Sequence, residues 1–238
     1  MVAHCMVTEP DGSVRLNDHG KPSITTFLFP RSKVTLLDTW DTLGLGGTAP
    51  DSYRVDEVFV SEAFTGTREN PENRRVAGLL FWFTQQGLYA VGVAGVALGI
   101  ATAMLDALHS LAKSKTPRGL SRLAEQTAVR SLVARSEAQL GAARAYLLNV
   151  IDTQFASAQA WGATPIPERA RLRLATTYAI TSAVEVTDRM HKAAGVFAIF
   201  RGSGPFEGRF RDMHTLSQQI QSRDAHFETV GDEPLAFL

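Results

Sequence analysis

The segment Asp38–Val60, DTWDTLGLGGTAPDSYRVDEVFV, decides how the rest of the chain is read. Gly44, Gly46 and Gly47 punctuate a turn, because glycine reaches backbone angles that other residues avoid. Tyr53, Val55, Val58, Phe59 and Val60 follow as a short strand rich in β-branched and aromatic side chains. The segment marks a change of character. Short apolar runs and turn signals precede it: Pro10-Asp11-Gly12 reads as a turn, and Ile24–Phe29 and Val34–Leu37 as strands. Beyond Pro71 the spacing of apolar residues becomes helical.

The helical part divides at its breakers. Asn73–Lys113 is expected as a helix or two, loosened near Gly87 or Gly92, and Thr116-Pro117-Arg118-Gly119 ends it. Ser121–Trp161 is the second helix, with Val133, Ser136, Leu140, Ala143, Leu147 and Val150 in steps of three and four. Pro165 and Pro167 restart the chain, and Glu168–Ala194 places Leu172, Ala175, Ala179, Ser182, Val186, Met190 and Ala193 on one stripe. A fourth helix is expected from Phe206 to about Thr229. The expected fold is mainly α: a C-terminal four-helix bundle over 71–238, preceded over 1–70 by a few strands of an incomplete β-domain. About sixty residues of strand are too few to close a sandwich or a barrel.

Composition narrows the function classes. The chain of 238 residues has 24 basic and 24 acidic side chains, so no general electrostatic pull toward nucleic acid is expected. A single cysteine, Cys5, excludes an intrachain disulfide and a cysteine-rich metal site. The opening MVAHCMVTEPDGS lacks a basic-then-apolar leader pattern, and a cytoplasmic location is the expectation. Leu88–Leu105 runs 18 residues without a charge, the length of a membrane span. Its Ala and Gly content and its flanks, which carry no marked Lys/Arg cluster, point instead to a buried or subunit-interface helix, and no membrane partner is expected.

Asp38–Val60 resembles the strand-to-helix junction of the acyl-CoA dehydrogenase superfamily, and more closely its flavin-dependent monooxygenase branch, which has a W-x-x-x-G-L-R-G-T-x-S-x-D segment. Leu98-Gly99-Ile100 with Leu105-Asp106-Ala107 resembles the start of the first bundle helix. His191–Gly195 resembles the glycine turn that closes the third. Gly204-Pro205 with Phe210–His214 resembles the S-P-L-Q-R-x-W-R-D-x-H entry to the last. The resemblance covers the end of the β-domain and the whole bundle, without the N-terminal part.

That resemblance implies a flavin-dependent oxidoreductase, monooxygenase-like, using reduced FMN or FAD on a small organic substrate. It further implies a homo-oligomer, dimer or tetramer, served by a flavin reductase or by a separate N-terminal half. The alternative is a non-catalytic oligomerising bundle, or the C-terminal half of a split flavoenzyme.

Several positions depart from the pattern. The branch's R-D-x-H-x-x-x-x-H has Gln219 in place of its second histidine, and glutamine cannot shuttle protons near neutral pH. His214 lies five residues earlier, about 140° around a helix. Gly46 and Gly208 stand where arginines are usual, and Lys115–Gly119 occupies the place of the dehydrogenase R-x-x-F-G.

The candidate catalytic residues are Gln219 and His214, and the candidate cofactor-binding residues are Lys115, Arg118 and Arg211. Arg118, with Lys115, would meet a flavin phosphate. Each has a plainer reading: a solvated loop charge for Arg118, an ion pair or helix cap for Arg211 with Asp212, a partly buried histidine for His214. Gln219 would share a helical face with Asp212, Thr215, Leu216 and Arg223, lining a cleft or facing water. His191 and His226 lack a second ligand nearby in sequence, so no metal is expected.

Overall fold

A computed structural model describes residues 1–17, 20–67, 75–202 and 204–235, with side chains described to residue 232. It divides into two compact units, one of residues 1–41 and 48–77, the other of residues 42–47 and 78–238. The expected boundary at 70/71 lies outside the described residues; the helix expected from Asn73 is corrected, since a 3-10 turn spans Leu79–Trp82 and the α-helix begins only at Gln85, capped by Thr84.

The first unit is strand-built. β1 (Val2–Met6), β2 (Ile24–Leu28) and β5 (Thr65–Gly66) form an antiparallel sheet in the order β1-β2-β5, with Val2 opposite Leu28 and Phe27 opposite Thr65. β3 (Thr35–Leu37) pairs antiparallel with β4 (Ser52–Arg54), Leu36 facing Tyr53. Phe29 meets the Tyr53 ring edge-on at 6.2 Å, and the Tyr53 hydroxyl donates to the Val2 carbonyl. The expected turn is present: Asp11 accepts from both the amide and the hydroxyl of Ser13, and Gly12 has φ +85°. The strand expected to run on to Val60 stops at Arg54, because Glu57 adopts a left-handed φ of 49° that breaks a ladder. β1 has no counterpart in the sequence reading.

The second unit is helical: α1 (Gln85–Ser114), α2 (Thr127–Trp161), α3 (Ile166–Ala194), α4 (Pro205–Leu216) and α5 (Ala225–Leu235). α1 is one unbroken helix, since Gly87 and Gly92 cost it helix propensity but tertiary packing holds it. Thr84 caps it by accepting from the Gly87 amide. Ala90, Ala94, Ala97, Ala101, Met104 and Leu108 form its buried line against α3. By length and composition α1 is long and apolar enough to cross a membrane. α2 buries Ser136, Leu140, Ala143, Leu147 and Val150, as its spacing predicts, and ends on Gly162 in the left-handed region at φ +63°.

α3 packs against all the other helices and is the centre of the unit. The expected stripe is buried except for Ala193, which is half-buried, and α3 also buries Thr176, Thr177, Ile180, Ala183 and Thr187, so its buried surface extends well beyond one face. One correction concerns the fourth helix. It does not run from Phe206 to Thr229: α4 stops at Leu216, a 3-10 turn spans Ile220–Ser222, and α5 begins at Ala225. The Ser217–Asp224 connection uses polar side chains to bond its own backbone, which competes with helix continuation.

Candidate functional site

The glycine-rich junction is keyed into the helical unit. An added Cβ on Gly44 would lie 2.4 Å from the Arg211 carbonyl carbon and oxygen and 2.5 Å from the Asp212 nitrogen, so only glycine lets the two backbones approach this closely. Next to it the Leu45 amide donates to Asp212 Oδ1 at 2.7 Å, and Arg211 Nη1 donates to the Leu43 carbonyl at 2.6 Å. The rest of the Arg211 guanidinium grips Glu207, one turn back, through Nε (2.5 Å) and Nη2 (3.2 Å). That hydrogen bond from Arg211 holds the Glu207 carboxyl below its ordinary value of 4.5, and Glu207 in turn raises Arg211. Arg211 is thus an anchor for the junction, its ion-pair partner Glu207 and not Asp212, with its donors engaged inside the protein.

The other predicted residues are dispersed. Lys115 Nζ donates to the Ala194 carbonyl at 2.6 Å and lies 4.7 Å from the centre of the Phe197 ring. It closes the C-terminal end of α3, and desolvation lowers its pKa. Arg118 is exposed on the loop after α1, and among the described residues it has no partner. His214 Nε2 lies 2.8 Å from Asp188 Oδ1 on α3, while Phe210 is stacked on His191 at 4.1 Å and touches the His214 ring at 4.3 Å. Gln219, expected on a helical face with Asp212 and Arg223, lies beyond the end of α4. Its side-chain oxygen accepts from the Gln221 amide at 2.7 Å and caps the 3-10 turn.

Gln219 thereby holds Gln221, only 7 % exposed, in the wall of a cleft of about 310 Å³. The first two turns of α1, the start of α3, and α5 form the other walls. Gly87, Ala90, Leu172 and Val230 supply its apolar lining; Thr84, Gln86 and two arginines, Arg169 and Arg173, supply polar groups. Arg169 Nε donates to the Thr164 carbonyl at 2.6 Å and to its hydroxyl at 3.1 Å. Arg173 Nη1 lies 3.1 Å from His226 Nδ1, and His226 Nε2 lies 2.8 Å from the Ile220 carbonyl. A carbonyl only accepts, so Nε2 carries the proton and Nδ1 receives the bond from Arg173.

The sequence reading did not single out Arg169, Arg173 or Gln221, and it weighed His226 only as a metal ligand. A signal existed: Arg169 and Arg173 are like charges four apart near the start of a helix, which places them on one face. Among the described residues no cluster of His, Cys, Asp and Glu could hold a metal ion.

Residues 91–223, α1 through the 3-10 turn after α4, match the family described as acyl-CoA dehydrogenase, C-terminal domain, and the chain belongs to that family. Among known proteins it is similar to an indole-3-acetate monooxygenase of Pseudomonas putida, 29 % identical over 205 residues, which cover 86 % of this chain and 52 % of the relative. It is also similar to the oxygenase component of an FADH2-dependent resorcinol hydroxylase from Rhizobium sp. strain MTP-10005, 23 % identical, covering 91 % of this chain and 57 % of that one. The solved structure of XiaF from Streptomyces sp. with FADH2 and glycerol shares the fold, with a TM-score of 0.85, 20 % identity, and coverage of 99 % of this chain and 59 % of that one. The chain spans about half the length of the curated relatives it matches.

Proposed function

We propose that the chain is the helical part of a flavin-dependent oxidoreductase, monooxygenase-like, that uses reduced FMN or FAD on a small organic substrate. The observation that carries this is the seating of Leu43-Gly44-Leu45 on α4. The segment that most closely resembles the monooxygenase branch is held by a glycine that admits no side chain and by two residues of the R-D-x-H motif. Relatives named as monooxygenase and hydroxylase support the same branch.

Of the three candidate cofactor residues, one keeps its donors for a flavin phosphate. Arg118 is exposed and, among the described residues, without a partner, so it is free to take a phosphate; Lys115 and Arg211 are engaged with protein groups and are not. A bound flavin supplies the electron and oxygen chemistry. The chain's own residues position the substrate: Ala90, Leu172 and Val230 give an apolar surface, and the Gln86 and Gln221 side chains offer amide donors and acceptors. His226 holds its proton at Nε2 against the Ile220 carbonyl, which keeps Nδ1 facing Arg173.

The family's four-helix bundle corresponds in this reading to α1, α2, α3 and the α4–α5 pair. The proposal extends to a homotetramer or dimer in the cytoplasm, with electrons from a separate reductase. Cβ atoms built on Gly92, Gly95 and Gly99 of α1 would meet open space, and Tyr89 and Val96 beside them are exposed, a surface suited to self-association. A non-catalytic oligomerising bundle is favoured by one observation, the use of Gln219 as a cap where the branch carries histidine.

Titration of the purified protein with FMN and FAD, followed by absorbance and fluorescence alongside its mass in solution, separates the two. Saturable binding that weakens about tenfold in Arg118→Ala supports the flavoprotein. A stable oligomer that binds neither flavin supports the bundle.

A further inference from the structure

We infer that the cleft between the starts of α1 and α3 and the α5 helix is a carboxylate site, taking a small acid with an apolar body. The inference rests on the flavin-dependent reading only in calling that acid the substrate.

The charge in the cleft is one-sided. Arg169 and Arg173 line it one turn apart on α3, and none of the other described lining residues is acidic. Two like charges four residues apart on one helix face repel. Among the described residues neither arginine forms an ion pair, and Glu168, next to Arg169 in the chain, accepts from Ser157 on α2 at 2.5 Å.

Both guanidiniums are oriented by neutral groups. Arg169 uses Nε on Thr164, and Arg173 uses Nη1 on an imidazole whose proton is committed to the Ile220 carbonyl. Each therefore keeps donors without a partner among the described residues: both terminal nitrogens of Arg169, and Nε with Nη2 of Arg173. A guanidinium presenting two parallel N–H groups matches the two oxygens of a carboxylate.

The rest of the lining selects what the carboxylate is attached to. Gly87, Ala90, Leu172 and Val230 are apolar, and a cleft of about 310 Å³ is at the small end of ligand sites. An added Cβ on Gly87 would come within 3.1 Å of Leu172 Cδ2 and of Thr84 Oγ1, so the lining at this point is already closely packed. A monocarboxylate with one aromatic or short aliphatic body satisfies both halves of the cleft. Inorganic phosphate satisfies only the charged half.

The test is calorimetric titration of the full chain with phenylacetate, phenylacetamide and inorganic phosphate, with FMN titrated in parallel. Phenylacetate is expected to bind saturably, at least about tenfold tighter than the amide or phosphate. Arg173→Ala should weaken it about tenfold or more, with Arg173→Lys in between because a point charge replaces the fork. Arg169→Gln gives a smaller loss of the same sign, and stands in for the first variant if Arg173→Ala does not fold.

Equal binding of phenylacetate and its amide, tighter binding of phosphate, or wild-type affinity in both arginine variants would overturn the inference. No phenylacetate binding by folded wild-type protein overturns it as well. Flavin binding without a preference for the acid removes the carboxylate site and leaves the flavoprotein standing. Acid binding without flavin binding does the reverse.

Discussion

The two units differ most in what they bury. In the helical unit Met104, Leu108, Ile180, Val186, Met190 and Met213 are almost wholly enclosed, within one continuous cluster drawn from α1, α2, α3 and α4. In the strand unit Phe29 is the one buried hydrophobic residue among those described, and Met6, Leu16, Phe59 and Phe64 are 58–90 % exposed. Hydrophobic burial scales with the area removed from water, so nearly all of that stabilisation resides in the helices. The lesson is that secondary structure and stability are separate matters here: the strands pair in register, yet their unit has scarcely any core.

That contrast can be broken by mutation. The largest effect is expected for Met190→Ala, which empties a fully buried position on the central helix; denaturant unfolding should lose about 2–5 kcal/mol. A loss below about 1 kcal/mol would mean that the helical unit is not the stable one.

Gly44→Ala comes next. The added methyl would collide with the Arg211 backbone, so the junction must lift from α4 at a cost of about 1–3 kcal/mol. Amide exchange at Leu45 reads this directly, since its bond to Asp212 would open; unchanged protection would show that the close approach is not maintained in solution.

A pH experiment sharpens the same point. Glu207 is held below its ordinary value of 4.5 by Arg211, so its contribution is present above about 4.5 and is lost as pH falls through the lowered folded value. Thermal midpoints of wild type and Glu207→Gln should differ at neutral pH and converge in acid. A constant gap would mean that the Arg211 clasp does not depend on charge.

Phe59→Ser should have the smallest effect, within about 0.5 kcal/mol, because the ring is 90 % exposed and supports no core. A larger loss in thermal unfolding would mean that the strand unit buries more in solution than it does alone.

Part of this was legible without coordinates. The buried positions of α2 and the main stripe of α3 follow from three-four spacing, because a helix facing a core repeats its apolar side at that period. The breaks at Thr116–Gly119 and Gly162–Pro165 follow from the backbone demands of proline and glycine. The extended burial of α3 was not legible, since nothing local in Thr176, Thr177 and Thr187 says that other helices will cover them. The candidate site was the least legible part. Lys115 reads as a phosphate-binding cation in one dimension and Arg211 as a partner of Asp212, but Lys115 bonds the Ala194 carbonyl 79 residues away, and Arg211 pairs with Glu207 and bonds the Leu43 carbonyl 168 residues away. Gln219 was projected along a helix that ends before it.

By itself the sequence determined the helical class, the glycine-punctuated junction and the kinship with the acyl-CoA dehydrogenase C-terminal domain, because these are carried by local periodicity, backbone permissiveness and ordered motifs. Only the tertiary structure decided that Gly44 meets Arg211, that the last helix breaks at Leu216, and that Arg169, Arg173, Gln221 and His226 share one cleft. Those facts depend on which side chains the fold brings together from distant parts of the chain. Charge pairing and desolvation are properties of distance in space, which sequence spacing does not encode.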